Sequence, residues 1–135
     1  MSTLFIYKNR TIVKNTGSTL SNNDFPDDKT FCSVNIGFNV NVLDNNCFID
    51  CTNLTNILLP PEIKTIGDNC FVNCENLTNI LLPPCLKTIG DNCFVNCANL
   101  TNILLPPCLK TIGKNCFTNT PVLKNVNLCQ RRPLI

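Results

Sequence analysis

The chain of 135 residues carries 11 Lys and Arg against 9 Asp and Glu, a formal net charge of +2 at pH 7. That length suits one domain with a modest core, and so small a charge, with its basic residues scattered, excludes the electrostatic footprint of a nucleic-acid binder. Histidine is absent, which removes the commonest general base and a common metal ligand. No nucleophile elbow, Gly-rich phosphate loop or isolated carboxylate pair takes its place, so the chain is not expected to be an enzyme.

Residues 1–30 open with MSTLFIYKNRTIVKN, whose apolar run from Leu4 to Tyr7 is far shorter than a signal-peptide core. No stretch approaches the length of a membrane span. The expectation is a cytoplasmic protein with no membrane span; the alternative is a cell-surface protein exported by a non-classical route. Thr11, Val13, Leu20 and Phe25 hold the phase of apolar positions further along, so 1–30 reads as a degenerate N-terminal cap.

From residue 31 the chain repeats with a period of 23. Residues 54–76 read LTNILLPPEIKTIGDNCFVNCEN, 77–99 read LTNILLPPCLKTIGDNCFVNCAN, and 100–122 read LTNILLPPCLKTIGKNCFTNTPV. The preceding unit, 31–53, has diverged but keeps Phe31, Val34, Ile36, Val40, Leu43, Cys47, Phe48 and Cys51 at the same apolar places. Residues 123–135 restart the phrase with Leu123, Val126 and Leu128 and finish in CQRRPLI, a terminal half-repeat and C-terminal cap. Such periods mark stacked architectures.

Within one unit, Leu77, Ile80 and Leu82 predict a short strand, which Pro83 and Pro84 end because proline donates nothing to a ladder. Leu86 and Ile89 predict a second inward-facing segment; Gly90, Asp91 and Asn92 predict a turn, and Cys93 and Phe94 return to the core. No single unit of this kind buries its own apolar face. Stacked units do, with strands about 4.8 Å apart. The expected fold is therefore mainly β: a short solenoid of parallel strand ladders with little or no α-helix.

The 11 cysteines follow the period. Cys47, Cys70, Cys93 and Cys116 share one phase, Cys51, Cys74 and Cys97 a second, and Cys85 and Cys108 a third. Recurrence at equivalent points predicts core residues packed as small hydrophobes, mostly reduced. The Cys-x-x-x-Cys spacing also fits zinc ligands, but an intervening Phe that must be buried and a pattern that continues through every turn disfavour a closed site. Neither metal nor cofactor is expected. Disulfides between stacked cysteines are disfavoured by parallel Cβ vectors.

The spacing L-x-x-I-x-L-P-x-x-L-x-x-I-G-x-x-x-F-x-x-C-x-x-L over residues 31–128 resembles the BspA-like leucine-rich repeats, with Pro, Ile-Gly, Phe and Cys recurring in register. Two departures stand out: Cys70, Cys93 and Cys116 occupy places where the family often has Ala, and Thr120 and Pro121 replace a Cys-Ala pair, suggesting that the final repeat is being closed off. The resemblance implies a leucine-rich-repeat solenoid and, in many members, extracellular adhesion or host contact. It names no chemistry.

Alternation sends three sets of side chains outward from the first strand of each unit: Thr55, Thr78 and Thr101; Asn56, Asn79 and Asn102; Leu58, Leu81 and Leu104. The leucine column is bounded by Asn35 and Asn127. An exposed apolar stripe rimmed by polar groups points to a protein partner, although recent duplication would copy such a stripe whether or not it is used. Lys64, Lys87 and Lys110 form a like-charged column that reads as a solvated face, with Asp68 and Asp91 placed to offset it. Asn53, Asn76 and Asn99 match the N-glycosylation pattern but read better as turn residues before each strand. Two functions remain at this point: a non-enzymatic protein-binding module using the strand face, or a self-assembling structural protein, the latter as a homodimer through a C-terminal solenoid edge.

Overall fold

The computed structural model describes residues 4–6, 11–14, 19–21, 31–37, 39–121 and 126–128. In chain order the strands are β1 (Leu4–Ile6), β2 (Thr11–Lys14), β3 (Thr19–Leu20), β4 (Ser33–Ile36), β5 (Val42–Leu43), β6 (Asn56–Leu58), β7 (Thr65–Ile66), β8 (Asn79–Ile80), β9 (Thr88–Ile89), β10 (Ile103–Leu105), β11 (Thr111–Ile112) and β12 (Val126–Leu128). No α-helix occurs among the described residues. The molecule is a β-solenoid of leucine-rich repeats.

Each turn contributes a strand to two sides of the solenoid. On one side β2, β4, β6 and β8 pair in parallel, and β10 and β12 continue as a parallel pair. On the other, β3, β5, β7, β9 and β11 run in parallel order. The parallel steps in register equal one 23-residue repeat, so Thr65 lies beside Thr88 and Thr88 beside Thr111. The exception lies between β2 and β4, where Thr11 lies beside Ser33, and Ile12, not the expected Thr11, lies beside Val34. The strands are shorter than the alternation suggests: only Asn79 and Ile80 of the expected Leu77-to-Leu82 strand pair as one. Pro83 and its neighbours turn the chain before a longer ladder can form.

The first strand departs from parallel stacking. β1 pairs antiparallel with β2, Leu4 opposite Lys14, at the outer edge of the first sheet. An antiparallel partner needs only a short hairpin, whereas another parallel strand needs a full solenoid turn. Phe25, Leu123 and residues 129–133 lie outside the described residues.

The apolar positions fill one continuous core. Leu77, Leu86, Cys93, Phe94 and Cys97 are fully buried, with Ile80, Leu82 and Ile89 close behind. All eight in-phase residues of the divergent unit, Phe31 through Cys51, are buried as well. Phe48, Phe71, Phe94 and Phe117 stack as a spine, their ring centroids 5.4, 5.2 and 5.6 Å apart. The thiols also join the stack: Cys74 Sγ–H donates to the Phe48 carbonyl at 3.2 Å and Cys97 Sγ–H to the Phe71 carbonyl at 3.1 Å. Thr120 takes the next place in that column. Its buried hydroxyl donates to the Phe94 carbonyl and accepts from Cys97 N–H at 3.0 Å. The substitution therefore does not close the stack, which β12 carries on.

Asparagine builds the third side. Asn69, Asn73, Asn92, Asn96, Asn115 and Asn119 all hold φ between 56 and 64°, the left-handed region in which Asn is several-fold enriched among non-glycine residues. These turns make a ladder of their own: the N–H groups of Asn69, Phe71 and Asn73 donate to the carbonyls of Asp91, Cys93 and Val95 at 2.8, 2.8 and 2.9 Å. Side chains add a second ladder, with Asn73 Nδ2 donating to Asp50 Oδ1 at 2.7 Å and Asn96 Nδ2 to Asn73 Oδ1 at 2.9 Å.

Gly90 fits because the preceding turn lies against it. A Cβ there would stand 2.4 Å from Asp68 Oδ1 and 2.6 Å from both the Asp68 nitrogen and the Gly67 carbonyl carbon.

Candidate partner-binding face

The residues expected to face outward do so. Thr55, Asn56, Leu58, Thr78, Asn79, Leu81, Thr101, Asn102 and Leu104 are all exposed. Among the described residues the exposed large hydrophobic side chains are Leu58 at 59%, Leu81 at 71% and Leu104 at 51%. The backbone register closes the column as the sequence implies: Asn35 lies beside Leu58, and Asn127 beside Leu104.

The three columns differ in what they offer. Thr55 Oγ1 donates to the Cys32 carbonyl at 3.1 Å and Thr78 Oγ1 to the Thr55 carbonyl at 3.5 Å. Their hydroxyls thus serve the stack, leaving mainly methyl surface for a ligand. The Asn column stands between the Thr column and the Leu column, so polar amides flank the apolar stripe on one side.

On its other side the stripe runs into proline, a feature that alternation alone does not show. Leu81 and Leu104 line an open groove of about 340 Å³ together with Leu59, Leu82 and five prolines, Pro61, Pro83, Pro84, Pro106 and Pro107. The Pro-Pro pairs, read in the sequence as strand terminators, therefore also widen the apolar surface. The signal was present: prolines recurring with the same period as an exposed leucine must stack beside it.

Elsewhere the structure revises particular readings. Cys85 and Cys108 are exposed, not core, because Pro83 starts a tight turn that swings the following two residues outward while Leu86 re-enters. Cys47, Cys51, Cys70, Cys74, Cys93, Cys97 and Cys116 are buried thiols. Burial pushes the Cys97 thiol up to about 12 and drives Cys74 and Cys93 well above the ordinary thiol value. Buried protonated thiols of this kind are poor nucleophiles and poor metal ligands. Asp68 and Asp91 also tie successive turns together: Asp68 Oδ1 accepts from Asp91 N–H and Asp91 Oδ1 from Lys114 N–H, each at 2.8 Å. Asn76 and Asn99 are turn residues whose amides donate to the Thr52 and Glu75 carbonyls at 2.7 and 2.8 Å.

A solenoid with this repeat defines a class, and comparison with known proteins fixes it. Residues 18–132 match the BspA type leucine rich repeat region, in 6 copies. The chain belongs to the BspA-type leucine-rich repeat family. No curated protein matches it. Among solved structures it is similar to a leucine-rich repeat protein of T. pallidum (22% identity, TM-score 0.71, covering 87% of this chain and 64% of that one). It is also similar to a leucine rich cell surface protein from Faecalibacterium prausnitzii (21% identity, TM-score 0.65, 94% of this chain and 41% of that one). A leucine-rich repeat protein from Bacteroides ovatus is similar at 19% identity and a TM-score of 0.54, over 98% of this chain and 52% of that one. At these identities the likeness is one of fold, and the chain spans about two fifths to under two thirds of the neighbours' lengths.

Proposed function

We propose that the chain is a non-enzymatic protein-binding module that holds a protein partner on the Leu58, Leu81 and Leu104 column. The observation carrying this reading is the column itself, three leucines more than half exposed on successive turns of an otherwise well-buried apolar set. Leaving them in water forgoes over half of the about 1.5–3 kcal/mol that full burial of a leucine side chain supplies. Asn56, Asn79 and Asn102 supply hydrogen bonds along one margin, and the proline groove supplies shape along the other. The stacked ladders beneath hold the surface stiff, so binding orders little of the chain.

The family supports this assignment, since leucine-rich repeats commonly mediate protein interaction. The F. prausnitzii neighbour is described as a cell surface protein, which favours a surface location over the cytoplasmic one. No helix among the described residues is long and apolar enough to cross a membrane.

Affinity capture tests the reading. Wild type and a Leu58→Asp, Leu81→Asp, Leu104→Asp triple variant, both checked for fold by circular dichroism, are offered to host-cell lysate and separately to extracellular-matrix proteins. A partner held by wild type and lost with the variant is expected, and the pool that yields it assigns the compartment. Equal capture by both proteins would sink the leucine column as the site.

A further inference from the structure

Cys85 and Cys108 recur with the period as the buried cysteines do, yet both stand exposed. Each holds the third place of the same tight turn: Leu86 N–H donates to the Pro83 carbonyl and Leu109 N–H to the Pro106 carbonyl, both at 3.2 Å. The two turns lie one above the other, because Lys110 N–H donates to the Lys87 carbonyl at 2.8 Å and Thr88 stands in register with Thr111. Cys85 and Cys108 thus stand exposed on congruent corners one turn apart, where the backbone ladder spacing is about 4.8 Å.

A backbone spacing of that size falls within the Cα range of a disulfide, but on congruent turns the Cβ vectors run parallel and keep the Cβ atoms beyond the about 3.5–4.5 Å that the bridge needs. The same spacing suits a linear thiolate–metal–thiolate bridge, which spans about 4.6 Å when each bond has the zinc–thiolate length of about 2.3 Å. Soft thiolates select soft cations, Cu(I) foremost among the biological ones. Zinc prefers four ligands, and no group of three or more His, Cys, Asp or Glu is gathered to hold a metal among the described residues. The preceding copy has Glu62 at this place, also exposed, so the repeats provide one pair and not a continuing column.

We propose that Cys85 and Cys108 form a two-thiolate site for one soft monovalent d10 cation, Cu(I) being the natural candidate. Binding releases one proton from each thiol, and the two thiolates with one Cu(I) leave a bridge carrying a single negative charge. Lys87 and Lys110, exposed two residues on in the same turns, place positive charge close by. Cys74, Cys93 and Cys97 do not compete, because burial holds their protons.

The test is an anaerobic titration of the reduced full chain with Cu(I) in competition with a chromophoric Cu(I) chelator. Wild type is expected to hold one Cu(I) per chain without change in molecular size. Cys85→Ser and Cys108→Ser should each lose it, while Cys32→Ser and Cys129→Ser should retain it. Alkylation read by mass spectrometry needs no variant: loading with Cu(I) should shield Cys85 and Cys108 together. Failure of wild type to compete, one-to-one binding retained by Cys85→Ser or Cys108→Ser, a doubling of size on loading, or shielding of any other cysteine pair would overturn the proposal.

Discussion

At the residue scale, the second cysteine column shows what a buried thiol does here. Cys74 and Cys97 fill a small apolar space and donate to a carbonyl of the preceding turn, and Thr120 does both with a hydroxyl. Cys97→Thr should therefore lower stability by less than about 1 kcal/mol, whereas Cys97→Leu should overpack the column and lower it by about 1–3 kcal/mol. Urea unfolding of both variants distinguishes them. The same burial makes the fold sensitive to alkali. The unfolded chain ionises the Cys97 thiol from about the ordinary value of 9.0, while the folded chain retains the proton up to about 12. Stability is thus full below pH 9.0 and falls as pH rises towards 12, with Cys74 and Cys93 acting in the same direction. Urea midpoints measured across that window should decline for wild type and decline less for Cys97→Thr. Gly90 sets a second residue-scale limit. A methyl group there meets backbone of the preceding turn, and Gly90→Ala should cost about 2 kcal/mol or more, in the upper part of the range for single substitutions.

At the scale of elements, the two strand sides were legible, and of the third side the turn at Gly90, Asp91 and Asn92 was legible but its backbone conformation was not. The spacing of Leu77, Ile80, Leu82, Leu86, Ile89, Cys93 and Phe94 reports burial directly, because a side chain that recurs on a stacked turn meets its own copy. The recurrent asparagines report backbone conformation, and sequence shows that only indirectly. The left-handed φ at Asn69 and Asn73, four residues apart as in every copy, is seen only in the folded turns. That spacing, with Asn the residue most tolerant of the region after glycine, was the available signal. Cys85 and Cys108 misled for the opposite reason. Recurrence says that a residue stacks, but only the turn geometry after Pro83 says whether it stacks inside or outside. The account predicts that Asn96→Gly, which keeps the backbone free to adopt positive φ but loses the amide ladder to Asn73 and Asn119, costs less than Asn96→Ala. The gap should be about 1–2 kcal/mol, the penalty of the left-handed region for a residue with a Cβ, and denaturant midpoints of the pair measure it.

At the scale of the whole molecule, the fold and the outward columns followed from one period, while the groove beside the leucines needed coordinates. Leu81 and Leu104 belong at once to the strand face and to the proline corner, so the candidate surface wraps an edge of the solenoid instead of lying on one flat side. A partner seated there should contact leucine and proline together. The most direct measurement of that claim is hydroxyl-radical footprinting of the chain with and without a captured partner. The account predicts protection centred on Leu58, Leu81, Leu104 and the Pro83 and Pro106 corners, with the asparagine turns of the third side unchanged. Protection confined to those asparagine turns, with the leucines as reactive as in the free chain, would contradict it.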